Sequence, residues 1–158
     1  MSADFRKDLI AQMKNRALIY MEMYDVLSAE LGAQRAEALL TKAIFRRGLA
    51  AGKSLAKHAP DDLAGLQASF LANVPGGEEI FRPQVLRSDA EALEIQLHGC
   101  PLKDAWREAG LPEDKVATLC RIAGAMDKGL FEGAGFKFEN RTWTPGAKGC
   151  CFLSVRRG

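Results

Sequence analysis

The stretch Leu93-Glu94-Ile95-Gln96-Leu97-His98-Gly99-Cys100-Pro101 decides the reading of the fold. Leu93, Ile95 and Leu97 alternate with Glu94, Gln96 and His98, the period of two expected of a strand with one buried face. Cys100-Pro101 ends that pattern. Proline suits the first position of a helix, so the spacing predicts a helix from Pro101 to Ala109, stopped at Gly110. A strand therefore runs into a helix with a cysteine at the joint.

Downstream, Pro112, Glu113 and Asp114 open another helix, with acidic residues where the helix dipole favours them. It should reach about Phe131. Gly133-Ala134-Gly135 then releases the chain into a strand at Phe136-Lys137-Phe138. Pro145-Gly146 marks a turn, with Lys148-Gly149 extending it. Cys151, Leu153 and Val155 alternate in a last strand. Upstream, Val85–Arg87 reads as a short strand and Pro75-Gly76-Gly77 as a break.

Everything before that break has helical spacing. Ile10, Met13, Ala17, Tyr20, Tyr24, Leu27 and Leu31 step by three and four residues, and Gly32 is the stop. A second helix is expected from Gln34 to Lys57. Its small residues Gly48, Ala50, Ala51 and Gly52 would let another backbone come close, and Pro60 ends it. A third fits Asp61 to Val74, with Asp61 as N-cap. The expectation is an α+β fold, with N-terminal helices packed on a small antiparallel sheet that carries two further helices. At 158 residues one domain is expected, residues 1–75 as helical scaffold and 76–158 carrying the site.

Composition narrows the partners. A formal charge of +2 gives no electrostatic case for nucleic acid or a membrane surface. No apolar run is long enough for a membrane helix, and the polar start (Asp4, Arg6, Lys7, Asp8) does not read as a signal peptide. A cytoplasmic location is therefore expected, with the four cysteines as thiols. The cationic bias suits a small carboxylate ligand. The first helix's stripe offers either core or a homodimer seam through the N-terminal helices.

The chemistry-bearing residues gather in the second half. Cys100, at a helix N-terminus, sits where unpaired N–H groups lower a thiol pKa. Cys120 lies mid-helix, with Ala123, Asp127 and Phe131 near the same face. Asp127 is either a rim aspartate paired with Lys128 or Arg121, or a buried one whose pKa rises into the range of acid–base work. Cys150 and Cys151, being adjacent in a strand, should point to opposite faces, so that one at most reaches a site. His98, Cys100, Cys120 and one of that pair lack the spacing of a zinc site, so neither metal nor other cofactor is expected. His58 has no nearby partner in sequence and reads as a surface residue. Arg141 is a candidate carboxylate clamp, or a surface arginine stacked on Trp143.

Taken in order, His98-Gly99-Cys100-Pro101-Leu102-Lys103-Asp104-Ala105-Trp106, Gly110-Leu111, Leu119-Cys120-Arg121-Ile122-Ala123, Asp127-Lys128-Gly129, Phe136 and Gly149-Cys150-Cys151-Phe152 resemble the L-2-amino-thiazoline-4-carboxylic acid hydrolase family. The resemblance is clearest over Leu97–Val155. It implies ring-opening hydrolysis of 2-aminothiazoline-4-carboxylate to N-carbamoyl-cysteine. Such a reaction needs a base for water, a proton donor for the leaving sulfur and a clamp for the carboxylate. The residues offered for these roles are Cys100, Asp127, Cys120 and His98 as catalytic groups, and Arg141, Cys151 and Trp143 as substrate contacts. One departure stands out. The family pattern implies an aspartate three residues after the mid-helix cysteine; here that position is Ala123, and Asp127 lies one turn further on. The competing reading is a non-catalytic small-molecule, metal or redox-sensing domain with a cysteine-lined pocket.

Overall fold

The computed structural model describes residues 2–158. Its chain order is α1 (Ala3–Leu31), α2 (Ala33–Gly52), a 3-10 turn (Lys53–His58), α3 (Leu63–Asn73), α4 (Gly77–Ile80), β1 (Pro83–Ser88), β2 (Ala92–Leu97), α5 (Pro101–Glu108), α6 (Glu113–Gly133), β3 (Lys137–Arg141) and β4 (Phe152–Arg156). The four strands form one antiparallel sheet in the order β1-β2-β4-β3. The fold is α+β, as the alternation around Ile95 and the helical first half imply.

The long second helix is shorter than expected. It ends at Gly52 and tightens into the 3-10 turn, and the next helix is capped one residue later than predicted. Asp62, not Asp61, is the N-cap, its carboxylate accepting from the Gly65 N–H at 2.8 Å. Asp62 also pairs with His58, whose Nδ1 lies 2.8 Å from its Oδ2 while Nε2 lies 2.8 Å from Ser69 Oγ. His58 is thus half-buried and ties the turn to α3, rather than lying free on the surface.

The small residues of α2 meet the small residues of α6. A Cβ on Gly48 would overlap the Met126 carbonyl oxygen, and one on Gly129 would overlap that of Phe45. Gly52 and Gly133 make the same kind of contact with α6 and α2 respectively. The two backbones touch because no side chain stands between them.

The core gathers on the inner face of the sheet. Leu93, Ile95, Leu153 and Val155 are fully buried. Phe131 of α6 bridges Phe70 of α3 and Phe138 of β3, with ring centroids 5.1 and 4.9 Å away. Fully buried Trp106 anchors α5 to α1, its indole N–H donating to the Ala17 carbonyl at 2.7 Å. No described helix is long and apolar enough to cross a membrane.

Candidate functional site

Between α6, α3 and the ends of β2 and β4 lies a cavity of about 380 Å³. Its wall is largely apolar, with Leu55, Phe70, Phe81, Leu97, Leu102 and Trp106 among the lining residues. All four cysteines and Asp127 line the same space, and Arg16 of α1 stands at its exposed rim.

Asp127 projects from the face of α6 that also carries Cys120, Ala123, Gly124 and Leu130 into the cavity. The predicted partners are engaged elsewhere: Arg121 with Glu37 at 3.0 Å and Lys128 with Glu132 at 3.5 Å. No described residue hydrogen-bonds or ion-pairs with the Asp127 carboxyl. Burial alone pushes it up to about 7 from the ordinary 3.8. A carboxyl of that kind holds or releases a proton near neutral pH.

Cys150 and Cys151 do not point to opposite faces. The Cys150 N–H donates to the Leu97 carbonyl, and the Leu97 N–H donates to the Cys151 carbonyl, both at 2.8 Å. Two residues thus oppose one, which makes a β-bulge just ahead of β4. Gly149, at φ +80°, supplies the left-handed turn into it. The bulge brings both thiols onto the cavity, with their sulfurs 3.6 Å apart.

Cys100 occupies the N-cap of α5 as predicted, but its acidity runs against the expectation. Hydrogen bonding with Cys150 and then burial push the thiol well above its usual range, and the N–H groups of Lys103 and Leu102 counter this only in part. Burial pushes Cys120 up to about 12. Cys150 is lowered by its hydrogen bond with Cys100 but raised more by its bond with Cys151 and by burial, so its net shift is upward. Around neutral pH, Cys100, Cys120 and Cys150 are protonated, and Cys100 is not a standing thiolate nucleophile. All four cysteines are free. Among the described residues no three His, Cys, Asp or Glu side chains come together as a metal site.

Three expected site residues lie outside the cavity, two of them turned away by strand alternation. Arg141 pairs with Phe152 across β3 and β4. Both are on the outer face of the sheet, with the guanidinium 4.4 Å from the Phe152 ring centroid. Asn140, one residue earlier, faces inward and donates to the Gly124 carbonyl at 3.0 Å. His98 follows inward-facing Leu97, so it points outward, 2.8 Å from Gln84 Oε1. Trp143, beyond the end of β3, is buried against α5, with Lys103 and Arg107 at 5.9 and 5.8 Å from its ring. Arg141 is thus neither a carboxylate clamp on the cavity nor stacked on Trp143. Among the described residues that line the cavity, the cation is Arg16. Nothing local in the sequence marks it, beyond its position beside buried Ala17.

The family described as L-2-amino-thiazoline-4-carboxylic acid hydrolase matches residues 12–153. The chain belongs to that family. The match takes in most of α1 as well as the C-terminal motifs, so the helical half is part of the family's architecture. No functionally curated protein matches the chain. Among solved structures, the chain resembles the phenol-responsive sensory domain of the transcription activator PoxR, in its crystal structure with phenol. The two align with a TM-score of 0.55 at 17% identity, covering 99% of this chain and 92% of that one. At that identity the likeness is one of fold.

Proposed function

We propose that the protein is a hydrolase that opens a small cyclic amidine such as 2-aminothiazoline-4-carboxylate, with Asp127 as the base for the attacking water. The observation that carries this is the unpaired Asp127 carboxyl, poised at about 7 on the wall of a largely apolar cavity. The family's name supports this reaction class. Water adds to the ring carbon between the two nitrogens and the sulfur, passing one proton to Asp127. The tetrahedral centre then collapses to a carbonyl and breaks the ring carbon–sulfur bond. The proton held by Asp127 goes to the departing sulfur, and the hydroxyl proton ends on the former ring nitrogen, which becomes the N–H of the carbamoyl product, so one water is consumed and the base is regenerated. Arg16 at the rim suits the substrate carboxylate. Cys100, Cys120 and Cys150, being protonated, serve as a soft apolar wall rather than as nucleophiles. A volume of about 380 Å³ is of the size that encloses a small ring compound.

The test is formation of N-carbamoyl-cysteine from 2-aminothiazoline-4-carboxylate by purified protein, followed by chromatography. Asp127→Asn is expected to lower the rate at least ~100-fold, the range lost with a general base, whereas Cys100→Ala keeps it within about tenfold. A second reading, ligand binding without turnover, is favoured by the protonated thiol wall and by the shared fold of a sensory domain that responds to phenol. Absence of turnover, together with a rise in melting temperature on adding small ring compounds, would establish that second reading in place of the first.

A further inference from the structure

α1 runs for 29 residues yet buries only Met13 and Ala17. Away from that buried edge, Ile19, Met23 and Val26 are 50%, 47% and 62% exposed. At 3.6 residues per turn they fall in one stripe, together with Arg16 and Glu30. Three other charges of this helix are engaged within the chain: Arg6 with Glu79, Lys14 with Glu108 and Asp25 with Lys115; of the charges without such a pair, Arg16 and Glu30 are the two that flank the apolar stripe. Arg16 and Glu30 are exposed and form no ion pair with a described residue.

We propose that this stripe docks against α1 of a second copy of the chain, antiparallel, about a two-fold axis near Met23. The two charges that flank the stripe favour both this partner and this direction. Arg16 and Glu30 stand equally far on either side of Met23, so an antiparallel copy brings Arg16 to Glu30 of the partner subunit, and the same pair recurs on the other side of the axis. Ile19 then faces Val26 of the partner subunit, and Met23 meets Met23 of the partner subunit on the axis. A parallel arrangement sets arginine against arginine and glutamate against glutamate, which repels. The contact is self-complementary, as a two-fold interface must be, and the seam from residue 16 to residue 30 is about 21 Å long at 1.5 Å per residue. It also reaches the site. Arg16 lines the cavity rim, so Glu30 of the partner subunit would hold one edge of the guanidinium while its other N–H donors stay free for a ligand anion.

Sedimentation equilibrium of the full chain at micromolar concentration tests this. The expected mass is twice the 17.2 kDa of one chain. Met23→Lys, at an exposed position, should give a monomer with unchanged circular dichroism. Arg16→Glu alone should weaken the dimer at least tenfold, and adding Glu30→Arg should restore it. A monomeric wild type, a dimer indifferent to Met23→Lys, or a double charge reversal that stays monomeric would each overturn the proposal.

Discussion

Replacing Asp127 by Asn should make the protein more stable, and the gain should depend on pH in one direction. The carboxyl titrates at about 7 in the folded chain against an ordinary 3.8. Between those values the folded protein holds a proton that the unfolded chain has released. Its stabilising contribution is therefore complete below about pH 4, fades as pH rises and is gone above about 7. At about 1.4 kcal/mol per tenfold change in proton affinity, the full span corresponds to a ceiling of roughly 4 kcal/mol. The carboxyl faces a cavity with an exposed rim, and solvent there softens the penalty, so a gain of about 2 kcal/mol is the working figure. Asn keeps the shape and never ionises. Urea denaturation of both proteins at intervals from pH 4 to 9 reads the difference directly. The variant's advantage should grow from pH 4 to 7 and then level off. A difference that stays flat, or an advantage that shrinks as pH rises, would mean the carboxyl is well solvated or paired, and the base assignment would fall with it.

Two further outcomes follow from the packing and the thiols. Gly129→Ala should cost about 2–3 kcal/mol, because its methyl group meets the Phe45 carbonyl of α2 rather than a side chain that could turn aside; thermal unfolding against Ala125→Gly, a loss of volume on the same helix, separates clash from propensity. Iodoacetamide at pH 8 should label Cys100, Cys120 and Cys150 at least ~100-fold more slowly in the folded protein than in urea, since only the thiolate reacts; rapid labelling of Cys100 alone, mapped by peptide mass, would restore it as a nucleophile.

The residues that declared themselves in the sequence were those governed by local periodicity. Leu93, Ile95 and Leu97 gave β2, and Pro101 gave the start of α5. The small residues of α2 announced a close neighbour, though not that α6 would provide it. Asp127 was legible as a candidate because its helix face could be counted from Cys120. Its freedom from Arg121 and Lys128 was not, since their engagement with Glu37 and Glu132 depends on tertiary placement. Arg141 has the side chain of a carboxylate clamp, but strand parity turns it away from the cavity. Asn140 inward requires Arg141 outward, and its register with Phe152 is fixed only when β4 pairs. The Cys150–Cys151 pair failed the alternation rule for an opposite reason: one inserted residue after Gly149 suspends that rule locally. Arg16 lay out of reach, because the cavity it borders is assembled from residues far along the chain.

The touching backbones of α2 and α6 bear on how anything reaches the cavity. Ala51, near the end of α2, and Ser54 and Leu55, just beyond it, line the same wall as Ala123, Asp127 and Leu130 on α6. With carbonyl groups seated against glycines, the two helices have no side chains that can swing to let one slide over the other. That wall behaves as one plate, which keeps Asp127 at a fixed depth whatever is bound. Away from that wall, the exposed residues that line the cavity are Arg16, Asn73 and Pro75. Changes that retune which molecules fit will therefore act through α1 and the end of α3, leaving the proton-handling plate untouched.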